Sequence, residues 1–68
     1  MRTALKIFRV QHNLSQDGMA QKLGFSRQHY ARIENGEQDV SLRFLVKLGE
    51  VFGIELEKAK ELTRVESV

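Results

Sequence analysis

The sequence predicts an all-α fold of five helices in one domain, and three observations predict it. Proline is absent, while Leu, Lys, Glu and Gln, all good helix formers, are abundant. Apolar residues recur at helical spacing along most of the 68 residues. Serines at 15, 26 and 41 stand where such stripes begin and glycines at 24, 36 and 53 stand where they end, as caps would.

The first helix is expected from about Thr3 to His12, with Thr3 as its cap and Leu5 and Phe8 on the inner face. Ile7 and Val10 fall off that stripe, half-exposed, under the C-terminal helix or at a dimer contact. Asn13 and Leu14 form a turn, and Ser15 caps a second helix whose stripe is Met19, Ala20 and Leu23. Gly18 should weaken this helix by up to about 1 kcal/mol relative to Ala. Ala20 is small where the second and third helices cross. Gly24, left-handed, ends the second helix and reverses the chain.

Ser26 opens the third helix, spanning 26–35, which buries Phe25, Tyr30 and Ile33. Its left-over face reads Arg27, Gln28, Ala31, Arg32, because residues four apart stack together. The Tyr30 hydroxyl must reach the surface or a partner. Gly36 closes the helix, and Glu37 to Val40 form a loop. Ser41 caps a fourth helix with Leu42, Leu45, Leu48 and Phe52 inward. Gly53 ends it, with Ile54 folding back in a Schellman motif. A fifth helix runs from Glu55 to about Arg64, on a stripe of Leu56, Ala59 and Leu62, acids first and bases later. Residues 65–68 are expected to fray.

Two guanidiniums, a carboxamide and a small residue on one exposed helical face suit a major groove. Arg matches guanine O6/N7 and Gln matches adenine N6/N7 in bidentate fashion. At this point the chain resembles the Cro/C1-type (XRE, lambda repressor-like) helix-turn-helix family. The resemblance is carried by Leu14-Ser15-Gln16, Met19-Ala20, Leu23-Gly24-Phe25-Ser26, Ile33-Glu34-Asn35-Gly36, Ser41-Leu42, Leu45 and Phe52-Gly53-Ile54. It covers a motif core of 5–54 within a single domain, 1–68.

The resemblance implies a sequence-specific regulator of transcription, a repressor, that binds double-stranded DNA. Arg27, Gln28, Ala31 and Arg32 would meet bases. Gln16, His29, Asn35 and Arg43 would meet phosphates. It also implies a structural ion pair between Arg9 and Glu34, with Ala20 and Gly24 shaping the corner. Four departures stand out, the first being Gly18 in place of the usual Glu or Lys-like residue. Gly49 replaces the usual Ala, which a close neighbouring helix would explain. Tyr30 is bulkier than the usual Ile or Val. The loop after Gly36 carries Glu37 and Asp39 where relatives often carry bases, so Arg43 is the candidate to replace them.

Length and charge bear on this reading. A chain of this size buries a modest share of its surface, so dimerisation is expected to add stability. A homodimer would also place two reading helices on a pseudo-palindrome, one helical turn or about 34 Å apart. Net charge is +2. Six bases and two acids give +4 through Gly36, and five bases and seven acids give −2 from Glu37 onward, so the positive half contains the reading helix. Uneven surface charge of no consequence would look the same.

Other classes fit less well. With no cysteine, disulfides and thiolate zinc sites are excluded and a reducing cytoplasm is the natural setting. By resemblance that is a prokaryotic or phage-infected cell, on the nucleoid. His12 and His29 are the only histidines, and no nucleophile elbow or phosphate loop occurs, so neither an enzyme, a cofactor nor a metal site is expected. The basic first helix has too small an apolar face for a membrane surface. The remaining rival is a protein-interaction module, antitoxin-like, that uses the fifth helix with Val46 and Ile7.

Overall fold

The computed structural model describes residues 1–65 and contains, among them, five helices and no strand. They are α1 (Thr3–Gln11), α2 (Gln16–Leu23), α3 (Arg27–Asn35), α4 (Leu42–Phe52) and α5 (Leu56–Leu62). The fraying expected of 65–68 falls, for 66–68, outside the described residues. No helix among the described residues is long and apolar enough to cross a membrane.

Local chemistry sets the helix boundaries. Ser15, Ser26 and Ser41 are extended N-caps whose hydroxyls accept from the N–H groups of Gly18, His29 and Phe44. Each satisfies an amide that the helix leaves without a partner. At the other ends Gly24, Gly36 and Gly53 are left-handed. The following residue donates back into the helix each time: Phe25 to Ala20, Glu37 to Arg32 and Ile54 to Gly49, the Schellman closure. Gly49 owes its small size to that closure. A Cβ there would lie 2.9 Å from the Ile54 carbonyl oxygen, so the close neighbour is the returning chain and not another helix.

The first helix begins differently from expectation. Arg2 and not Thr3 precedes it, and no side chain caps it. Arg2 instead turns inward, 3 % exposed. Its Nε donates to Thr63 O at 2.6 Å and its Nη1 to Gln38 O at 2.9 Å and to Ile33 O. One guanidinium thus collects carbonyls at the ends of α3 and α5 and in the loop after α3, where the helix dipole favours a cation. Burial pulls it below its ordinary pKa and nearby Asp39 counteracts this. Arg2 therefore does not belong to the surface charge that would draw phosphate, and neither does buried Arg9.

The core is Leu5, Met19, Ala20, Leu23, Tyr30, Ile33, Phe44, Leu48, Ala59 and Leu62. Burying one of its larger aliphatic or aromatic side chains contributes about 1.5–3 kcal/mol. Two expectations need correction. In α4 the inward residues are Phe44 and Leu48, while Leu42 is 66 % exposed. Two residues apart is about 200° around a helix, so a stripe through Phe44 turns Leu42 outward. In α5, Leu56 is exposed, and Ala59, Leu62 and Thr63 face inward. That helix also stops short of Arg64, at Thr63, whose hydroxyl donates to Ala59 O at 2.9 Å. Ile7 and Val10 are half-exposed as their phase predicts.

The helices pack α2 on α3 and α4, α4 on α5, and α1 on α5 and α3. The inner face of α3 is thereby fixed and its outer face is free.

Candidate nucleic-acid interface

The outer face of α3 carries Arg27, Gln28 and Arg32, all exposed, with half-buried Ala31 among them. Positions 27 and 31, and 28 and 32, are one turn apart, so the four residues form one continuous patch. Among the described residues no carboxylate pairs with either arginine and no hydrogen bond ties back the Gln28 amide. The donors of this patch are open to a partner with acceptor edges.

Beneath it, α3 is held by Glu34, a carboxylate only 1 % exposed. Arg9 donates to it twice, Nε to Oε2 at 2.9 Å and Nη2 to Oε1 at 3.0 Å. The Tyr30 hydroxyl donates to Oε2 at 2.7 Å and Gln16 Nε2 to Oε1 at 3.2 Å. Three helices therefore converge on one acid. Burial alone would raise the Glu34 carboxyl, but the hydrogen bonds from Arg9, Tyr30 and Gln16, with the Arg9 charge, outweigh it and hold the pKa below the ordinary value. The same carboxylate, against the cost of burial, raises Arg9. Burial first, and Glu34 second, push the Tyr30 hydroxyl up, so it stays a neutral donor. The Arg9 to Glu34 pair is the one the family resemblance implies, and the Tyr30 hydroxyl has the partner its burial requires.

The side chains expected at phosphates are less uniform. Gln16 is half-buried at the start of α2 and already braces Glu34. Asn35 is exposed, and its Nδ2 donates one of its two N–H groups to Glu37 Oε2 at 3.2 Å, leaving the other. His29 is half-buried, its ring stacked on Phe25 with centroids 5.1 Å apart and planes 13° from parallel. Arg43, exposed in the first turn of α4, lies over the same ring at 5.6 Å. Gln38 Nε2 approaches His29 Nδ1 at 3.4 Å. Sequence reasoning placed His29 and Arg43 separately and missed Phe25, Gln38 and Arg2. The only local signal was that Phe25 and His29 are four residues apart across the start of α3.

Ala20 is fully buried on α2, the helix that packs against α3, and Gly24 between them has φ 78°. No group of three or more metal-ligating side chains occurs among the described residues. The exposed arginine face, its anchored underside and the two-helix corner together make a surface that can lie in a groove of duplex DNA.

Comparison with known proteins agrees with this geometry. A family model described as Helix-turn-helix matches residues 5–58. An uncharacterized HTH-type transcriptional regulator of Methanocaldococcus jannaschii is 44 % identical over 57 residues, covering 84 % of this chain and 86 % of that protein. Two uncharacterized HTH-type transcriptional regulators of Archaeoglobus fulgidus are each 33 % identical over 57 residues. These alignments cover 84 % of this chain and 80 % and 81 % of those proteins. No solved structure matches the chain.

Proposed function

The chain belongs to the Cro/C1-type helix-turn-helix family, and from that premise we propose that it is a sequence-specific regulator of transcription that binds double-stranded DNA and represses by occupying its operator. One observation carries the reading: α3 is anchored on its inner side by Glu34 and presents Arg27, Gln28 and Arg32 together on the outer side, none of them held by an acid among the described residues. With this helix in the major groove, Arg27 and Arg32 read guanine, Gln28 reads adenine, and Ala31 meets a thymine methyl. Gln16, His29, Asn35 and Arg43 set the register on phosphates. Cytoplasmic DNA is the target.

A single reading helix spans too few base pairs for selectivity in a genome, so the working unit is a symmetric homodimer on a pseudo-palindrome. The surface best suited to the second copy is the apolar groove between α4 and α5. It is lined by Val46, Gly49, Ile54 and Leu56 and rimmed by Glu50. Exposed Leu42 continues the apolar face of α4 one turn before Val46.

The test is selection of bound fragments from random duplex DNA, followed by footprinting and light scattering. The reading requires enriched sequences with two half-sites about one helical turn apart and a dimeric protein that Val46→Glu dissociates. A lone protomer protecting one unpaired site overturns the dimer, and failure to enrich any sequence overturns the regulator. Association with an unrelated protein through this groove, in place of a second copy, would favour the interaction-module alternative.

A further inference from the structure

The Phe25 ring is a shared support for two side chains from different helices. His29 of α3 stacks nearly parallel on it, and the Arg43 guanidinium of α4 lies over it. The ring is half-buried and packs on the core ring of Phe44 at 5.5 Å between centroids. Gln38 adds a second restraint on the imidazole. With its amide nitrogen as donor, His29 Nδ1 is the acceptor, which leaves the ring proton on Nε2. The Gln38 backbone is itself fixed by Arg2.

Stacking uses the faces of an imidazole or a guanidinium and leaves their in-plane N–H groups unspent. In-plane donors are what phosphate oxygens take. Between α3 and α4 the loop offers no base of its own. Glu37 is an acid engaged with Asn35, and Asp39 is an acid whose charge acts on Arg2. The ring-mounted pair supplies donors on this side in its place, the Nε2–H of His29 and the guanidinium of Arg43.

We infer that Phe25 is a positioning residue for the DNA backbone, mounting His29 and Arg43 on one ring as a two-part phosphate clamp beside the reading helix. Holding the long Arg43 side chain in advance reduces the freedom it loses on binding. The inference rests on the function proposed above and assigns the clamp to a ring that touches no DNA itself.

The experiment measures affinity against salt, with a duplex recovered by the random-sequence selection as the probe. Arg43 brings the guanidinium of the clamp, so Phe25→Leu should reduce the slope of log affinity against log salt by about 0.9, one phosphate neutralised. Phe25→Tyr, which keeps the ring, should restore the slope. Arg43→Ala should reduce it equally in the wild type and add nothing in the Phe25→Leu background. A folded Phe25→Leu variant with wild-type slope, or an undiminished effect of Arg43→Ala in that background, overturns the clamp while leaving specific binding in place. If selection enriches no duplex, the regulator itself falls and the clamp with it. Should Phe25→Leu not fold, the decisive reading is the ring-current shift of the Arg43 side-chain protons by NMR. Its persistence in the wild-type complex supports the clamp, and its disappearance on adding duplex overturns it.

Discussion

Arg9 and Glu34, 25 residues apart in the chain, meet edge to edge through two hydrogen bonds, with both groups out of water. Removing one partner strands the other charge. Arg9→Ala or Glu34→Ala should therefore lower stability by about 3–5 kcal/mol, whereas an apolar pair of similar volume such as Arg9→Met with Glu34→Leu should cost less, mainly about 1–3 kcal/mol from a Tyr30 hydroxyl left without its acceptor. Urea denaturation of the two single variants and the double variant checks this, and equal losses in all three would contradict it.

The pair also sets the response to acid. The folded Glu34 carboxyl is depressed below the ordinary value of 4.5. A depressed carboxyl contributes stability that is fully present above the unfolded value and is lost as pH falls through the folded one. The urea midpoint should accordingly hold above about pH 4.5 and decline below it. In Glu34→Gln, stability should be lower at neutral pH and that part of the acid dependence should vanish.

Arg2 closes the fold at its other end. Arg2→Ala leaves the carbonyls of Gln38 and Thr63 without the side-chain donor and takes one of two donors from Ile33, and should cost about 1.5–3 kcal/mol. Arg2→Lys should recover only part of this, since an ammonium on a flexible stem does not match a planar fork. Hydrogen exchange should show faster opening at the ends of both α3 and α5.

The two glycines inside helices should respond differently to alanine. At Gly49 the new Cβ meets the Ile54 carbonyl oxygen at 2.9 Å, a backbone atom. The crowding, about 1–3 kcal/mol, matches or exceeds the propensity gain of about 1 kcal/mol. At Gly18 it meets the capping Ser15 Oγ at 3.3 Å, which has to give by only a few tenths of an ångström and can keep its bond to the residue 18 N–H. Gly49→Ala should therefore destabilise and Gly18→Ala should be neutral to stabilising, as read by thermal melting.

On the outer face, Arg27→Ala and Arg32→Ala should each weaken binding to a selected duplex by about 1–3 kcal/mol and relax preference at one base position. Neither side chain touches the core, so circular dichroism and melting temperature should not change. Loss of binding accompanied by loss of fold would contradict the assignment.

Much of this was legible in the residues, and the boundary between what was and was not has a physical basis. Caps such as Ser26 and left-handed ends such as Gly24 act over four or five residues, so spacing alone reveals them. The outward phase of Arg27, Gln28 and Arg32 followed from the burial of Tyr30 and Ile33. In α4 the abundance of leucine hid the phase: Leu42, Leu45, Leu48 and Phe52 make a plausible stripe, and nothing local prefers Phe44 over Leu42. Arg2 was illegible for another reason. Its partner Thr63 is 61 residues away, and only the packed structure creates a pocket of free carbonyls. The Arg9 to Glu34 pair, 25 residues apart, was accessible only through family resemblance.

The Glu34 junction has a bearing on ancestry. All four of its hydrogen bonds come from Arg9, Gln16 and Tyr30, and positions 27, 28, 31 and 32 supply none. Descendants can thus exchange the outward residues one at a time without disturbing the mounting. A gene duplicate could acquire new targets while inheriting an unaltered scaffold.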